Sequence, residues 1–195
     1  MENLKWSVGH AIHAPRSHST GFLMEPSKPR KKRRRPESIF LSDFGRSWEE
    51  VGGYYYKIPD AGGQLARFAP SRPYDANSAM LGVIFVIEAK YCKTVQFALS
   101  EMRPHQIPEL WRARQAGYQA FVLVCYHRLR ARVADFFRIE TLMDAEKNGR
   151  KHLSPDEAAL RIYSHSRSVW DINPQKIIRM VSHDEERQLR LLKNE

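Results

Sequence analysis

The sequence predicts an α/β domain with a central mixed β-sheet flanked by helices. Two observations carry that class. Residues 118–126, with Ala120 through Cys125 at their centre, are nearly continuous apolar sequence, as in a strand covered on both faces. Helical and strand patterns also follow one another as helix, strand, loop, strand hairpin, helix, strand, an order that layers helices against a sheet. At 195 residues the chain suits one sizeable core plus a tail.

The tail comes first. Residues 1–36 show no sustained period and are interrupted by Pro15, Pro26, Pro29 and Pro36, so a disordered arm is expected there until a partner binds. This arm holds nine basic groups against two acidic ones, a net +7 of the chain's +10. Its densest part, Lys31, Lys32, Arg33, Arg34 and Arg35, suits a phosphate backbone, because each neutralised phosphate releases counterions. A nuclear-import signal or a solvated tail is equally compatible with that charge block. Residues 37–195 are then one mildly basic domain.

No apolar run reaches transmembrane length and no continuous apolar core suggests a signal peptide, so a cytoplasmic protein without membrane contact is expected. Cys92 and Cys125 lie in or beside apolar runs and there is no CxxC, which predicts buried free thiols rather than a disulfide or zinc site.

Within the domain, Glu37–Ser47 reads as a helix started by Pro36, with Ile39, Phe40 and Phe44 on one face. Gly52-Gly53 breaks it, and Tyr54–Ile58 is the first strand. Residues 59–80 contain Gly62, Gly63, Pro70 and Pro73 and read as loop. Val83–Ile87 is a strand that ends in Glu88-Ala89-Lys90. Val95–Leu99 is the short second strand of a hairpin with Lys93 at its turn.

Glu101–Ala116 has helical spacing, but Pro104 and Pro108 require a late start, and Gly117 ends it. Val133–Ile139 is a further strand after Arg128, Arg130 and Arg132. Those three alternate arginines make either a DNA-facing stripe or a charge-protected edge. Glu140–Lys147 is a helix ending at Asn148-Gly149. Ser154-Pro155-Asp156-Glu157 and Ser182 with Glu185 read as capping-box helix starts. These C-terminal pieces form a helical and strand extension that packs on the core or supports a dimer.

The chemistry concentrates between Arg72 and Gln106. Side chains alternate along a strand, so Glu88 and Lys90 share one face. Asp75 precedes a turn-like stretch (Asn77, Ser78, Gly82) that can return it beside the end of that strand. Two carboxylates beside a lysine suit a divalent-metal hydrolase, because hard Mg²⁺ takes a few carboxylate oxygens and leaves positions for water and phosphate. Glu-x-Lys alone is equally a surface salt bridge.

Asp75 followed by Glu88-Ala89-Lys90 resembles the PD-(D/E)xK nuclease superfamily. More narrowly, Tyr56-Lys57-Ile58-Pro59-Asp60, Arg72-Pro73-Tyr74-Asp75, Phe97-Ala98-Leu99-Ser100 and His105-Gln106 resemble RecU-type Holliday-junction resolvases and their phage relatives, over roughly residues 40–140. The resemblance implies a restriction-endonuclease-like core and a structure-specific endonuclease. It would resolve four-way DNA junctions by symmetric metal-dependent phosphodiester hydrolysis, as a homodimer, in a bacterial or phage-infected cell.

It further implies Mg²⁺, with Mn²⁺ able to substitute, and no nucleotide cofactor. Asp75 and Glu88 would hold the metal, with the Ala89 carbonyl and Gln106 as further contributors. Lys90 would hold or deprotonate the attacking water. Beside these, Arg72 and Lys93 flank the site as either DNA contacts or solvated charges, and His105 either contacts phosphate or packs locally. Another DNA endonuclease of the same fold, for flaps, ends or a specific sequence, and a non-catalytic recombination accessory protein are the alternatives.

Two departures from the family pattern stand out. Leu41 occupies the position where a first-helix acid is expected, which makes Asp43 the nearest substitute, with Glu49 and Glu50 later in the helix. Pro73 replaces a threonine two residues before the aspartate.

Overall fold

The structure is a computed structural model that describes residues 36–59, 72–126, 132–166 and 168–182. The expected arm up to residue 35, with Lys31 to Arg35, and also Arg128, Arg130 and Glu185, lie outside the described residues.

Helix α1 spans Pro36–Glu50. It buries Phe40, Leu41, Phe44 and Trp48, a stripe at helical spacing, whereas Ile39, expected on that face, is exposed. Its end is a Schellman closure: the Gly53 N–H donates to the Trp48 carbonyl and the Gly52 N–H to that of Glu49. Strand β1 (Tyr54–Lys57) follows.

Strand β2 (Ala76–Met80) corrects the loop expected over residues 59–80. It forms a tight hairpin with β3 (Val83–Cys92), joined by Leu81 and Gly82. Both turn residues have positive φ, 49° and 82°, the two-residue geometry whose twist matches the flanking strands. The hairpin expected after Lys90 does not form. Strand β4 is only Phe97–Ala98, and it pairs with β7 (His152–Leu153) in a separate two-stranded ribbon.

Helix α2 (Gln106–Gln115) starts after Pro104, as the prolines require, and closes at Gly117 with φ 93°. The Gly117 and Tyr118 N–H groups return to the Arg114 and Ala113 carbonyls. Strand β5 (Gln119–Tyr126) is buried at every position, as its unbroken apolar run predicts. It is followed by β6 (Val133–Arg138), α3 (Ile139–Lys147) and β8 (Leu160–Tyr163). The Ser154 capping box is present, but it opens only a 3₁₀ turn, Pro155–Glu157. Ser182, expected to start a helix, is itself helical at the end of the described stretch 174–182, which we call α4.

The sheet order is β1-β2-β3-β5-β6-β8, antiparallel throughout except for the parallel pair β3·β5. That parallel join forces a crossover, and α2 supplies it. One apolar cluster packs α1 and α4 on Phe85, Ile87, Ala89, Phe121, Leu123 and Phe136. The other packs α2 and α3 on Val86, Val122, Val124 and Phe137. The result is the predicted α/β fold, a mixed sheet between two helical layers.

The C-terminal pieces are integral to it. Strand β8 is the sixth strand, and Trp170, Ile177, Met180 and Val181 join the α1 cluster. Cys92 and Cys125 are buried free thiols in opposite clusters, with burial pushing them up to about 11 and about 12. Among the described residues no helix is long and apolar enough to cross a membrane.

Candidate active site

The open end of the β2–β3 hairpin meets the N-termini of α1 and α2, and the predicted residues gather there. Asp75 is buried immediately before β2, where its N–H donates to the Ile87 carbonyl at 3.0 Å and so fixes it beside Glu88. Its Oδ2 accepts from the Ala89 N–H at 2.9 Å. A residue in a strand directs its N–H and C=O to the same side, so the Ala89 carbonyl also faces the Asp75 side.

Glu88 and Lys90 project together towards α2, as their spacing requires. Lys90 Nζ donates to Glu88 Oε1 at 2.8 Å and to Gln106 Oε1 at 2.9 Å, and all three side chains are buried. Gln106 Oε1 also accepts from the Arg103 N–H at 2.9 Å, while its Nε2 donates to Glu88 Oε1. The carbonyl end of the amide therefore meets two donors and the amino end an acceptor, which fixes its orientation. Gln106 is a buried strut between Lys90 and Glu88.

Burial, followed by repulsion from Asp75, pushes the Glu88 carboxyl up to about 7, against the opposing pull of Lys90. Two buried carboxylates in one place are an electrostatic cost unless a cation joins them. The donor set is hard oxygen: two carboxylates and a backbone carbonyl on the same side. These residues fit a divalent ion of the Mg²⁺ type. Among the described residues no three His, Cys, Asp or Glu side chains already converge as a closed cluster. Lys90 offsets part of the carboxylate charge through its 2.8 Å contact with Glu88.

The sequence reading makes Asp43 the nearest substitute for a first-helix acid. Asp43 is not turned to this site; its carboxylate faces Arg132 at 3.6 Å and Arg46 at 3.9 Å. Arg132 in turn lies over the Trp170 ring, 5.3 Å from its centroid. The α1 carboxylate within electrostatic reach of Asp75 and Lys90 is Glu37 in the first turn. Its pKa is raised by burial and then by Asp75, with Lys90, Arg72 and Arg103 opposing, and it appears in turn among the charges that raise Glu88. Its position just after Pro36, in the first helical turn, was the available signal.

The expected DNA contacts divide. Arg72 Nη2 pairs with Asp75 Oδ1 at 2.6 Å and Nη1 donates to the Ile58 carbonyl at 3.2 Å, so it braces the aspartate. Lys93 is exposed just beyond β3, and half-buried His105 is the N-cap of α2 without a capping side-chain bond. Arg103, which the sequence reading passed over, is exposed close enough to act on Glu37.

A mixed sheet carries a hairpin aspartate and a strand-borne Glu-x-Lys at the mouth of two helices. The sequence model described as Recombination protein U matches residues 60–178, about three-fifths of the chain. The chain belongs to this family, the RecU family of Holliday-junction-resolving endonucleases. Among solved structures it is similar to Hjc of Archaeoglobus fulgidus, a Holliday junction resolvase from an archaeal hyperthermophile. That match has 19% identity and a TM-score of 0.41, and covers 53% of this chain and 77% of that one. No curated protein matches the sequence.

Proposed function

We propose that this nuclease resolves four-way DNA junctions with a Mg²⁺-dependent centre built from Glu37, Asp75, Glu88, the Ala89 carbonyl and Lys90, and that it does so as a homodimer. The observation that carries the assignment is the buried Lys90 ammonium held between Glu88 and Gln106, with Asp75 anchored one residue away on the Ala89 N–H. A strand-end salt bridge would be solvated; this one is buried and braced from α2.

Bound Mg²⁺, or Mn²⁺ in its place, supplies Lewis-acid polarisation of the phosphodiester and an acidified water. The protein does the rest. Glu37, Asp75 and Glu88 provide the negative charge that retains the ion, and Gln106 aims Lys90. Lys90 holds the attacking water and stabilises charge that develops on the phosphoryl oxygens. Hydrolysis leaves a nick with a 5′-phosphate.

A four-way junction has approximate two-fold symmetry, and a C₂ dimer presents two equivalent sites in that relation. Junction shape rather than base sequence then sets specificity, with phosphate contacts fixing the register. Arg103, Lys93, His105 and the basic arm are the contacts, and the cytoplasm, where such DNA lies, is the place of action.

The deciding assay incubates purified protein with labelled four-way, flap and linear duplexes, with and without Mg²⁺. Paired nicks in the four-way substrate, lost in Glu88→Ala while binding persists, are expected. Equal cutting of all three substrates, or undiminished nicking by Glu88→Ala, would refute the assignment.

A further inference from the structure

A polar cleft on the outer side of α1 takes no part in this chemistry. It has a volume of about 520 Å³ and is lined by Ser38, Ser42, Arg46 and Glu49 of α1, with Tyr55 and Lys57 of β1 opposite. Four-residue steps stack Ser38, Ser42 and Arg46 along one face of the helix, roughly 6 Å apart along its axis. That rise is close to the spacing of successive phosphates in a nucleic-acid strand.

The floor of the cleft is built, not incidental. The Tyr55 ring lies across Gly45 so closely that a Cβ there would fall 2.3 Å from Cδ1. Glycine is unfavourable in a helix interior, and here it admits the ring. The Tyr55 hydroxyl is buried and has no hydrogen-bond partner among the described residues. Burial raises its pKa, so it remains a neutral donor.

One end of the cleft is lined by direct neighbours of active-site residues. Ser38 directly follows Glu37, and Lys57 pairs with Ala76, the neighbour of Asp75. Lys57 Nζ donates to Ser38 Oγ at 2.9 Å, which joins the two walls. Farther along, the Arg46 side chain is 56% exposed, and its 3.9 Å approach to Asp43 is too long to occupy the guanidinium. Glu49 lies one turn beyond, where its charge turns phosphate away and marks the end of the cationic stretch.

We propose that this cleft is a phosphodiester track that seats the strand backbone leading away from the cut. Ser38 and Lys57 take the phosphate nearest the active site, and Ser42 and Arg46 take those that follow. The proposal rests on the reading of the neighbouring site as a DNA-cutting centre. Contacts to phosphate carry no sequence information, so the track would hold register without reading bases.

The test measures binding of a labelled four-way junction by the full chain, without divalent metal, over a range of salt. Arg46→Ala and Ser42→Glu alter exposed positions, and Lys147→Ala removes an exposed charge from the opposite helical layer. Arg46→Ala should weaken binding several-fold and reduce the slope of log affinity against log salt by about 1. Ser42→Glu should weaken it about tenfold or more, whereas Lys147→Ala should stay near wild type; unchanged melting temperatures would exclude misfolding.

Wild-type affinity and slope in both cleft variants, or losses no larger than that of Lys147→Ala, would overturn the track. If the wild type binds DNA but does not cut the junction while Arg46→Ala still lowers affinity and slope, the track stands and the junction-resolving assignment falls. A wild type that binds no DNA would overturn both.

Discussion

Gln106 fixes Lys90: a single amide oxygen accepts from Lys90 Nζ and from the Arg103 backbone, while the amide nitrogen donates to Glu88. The strut comes from the first turn of α2, and its side-chain partners Glu88 and Lys90 come from the last half of β3. The catalytic geometry thus depends on how the β3–β5 crossover helix docks. Gln106→Ala would leave Lys90 with Glu88 alone. We predict a fall of about 10–100-fold in nicking rate with junction affinity unchanged, the range typical of a lost supporting partner at a metal site. Single-turnover cleavage beside equilibrium binding checks it, and a matched loss of affinity would assign Gln106 to binding instead.

The Glu88 carboxyl, raised by burial and by Asp75, gives the metal-free protein a pH-dependent cost. A carboxyl raised in the folded state stabilises the fold below its unfolded value. That contribution is lost as pH climbs through the folded value of about 7. Between about pH 4.5 and 7, metal-free protein should therefore lose stability from this group as pH rises. Mg²⁺ binds the ionised form, so its stabilising effect should grow over the same window. Melting curves at pH 5.5 and 8, with EDTA or Mg²⁺, should show the larger metal-induced rise at pH 8. Glu88→Gln should abolish the difference.

Much of the site was legible because alternation along a strand is a strong local rule: Glu88 and Lys90 had to share a face. The β5 run was legible for a different reason: an unbroken apolar stretch marks a strand covered on both faces. What could not be read was β2. Its Asn77 and Ser78 have turn-like chemistry, and its hairpin turn places Leu81 at positive φ, a residue that gives no turn signal. The partner of β4 also escaped, because β7 lies more than fifty residues away. The electrostatic link of Glu37 to Asp75 was not legible for a third reason, since a shift of a few residues along a helix rotates a side chain to another face.

The choice between Glu37 and Asp43 is testable. Glu37→Ala should reduce nicking by about 100-fold or more, the scale of losing one group that stabilises the developing charge. Asp43→Ala should leave cleavage within a few-fold. It should lower stability by up to about 1 kcal/mol, because its ion pairs with Arg132 and Arg46 are long. Cleavage rates and urea midpoints of the two variants separate these roles. Loss of activity in Asp43→Ala at unchanged stability would restore Asp43 to the metal site.

Gly45 provides a test of packing rather than chemistry. Replacing a mid-helix glycine by alanine ordinarily stabilises a helix by about 1 kcal/mol. At this position the added Cβ would lie 2.3 Å from Cδ1 and 2.4 Å from Cε1 of Tyr55. The ring cannot simply retreat, because Phe44 stands edge-on to it at 5.8 Å. Overpacking of this kind costs about 1–3 kcal/mol, so the clash should exceed the helix-propensity gain. Gly45→Ala should lower the melting temperature by a few degrees, with about 2–4 °C per kcal/mol expected for a chain of this size. A rise in melting temperature would mean that Tyr55 can leave the helix face at little cost, and that the close approach of α1 to β1 is not what gives the cleft its floor.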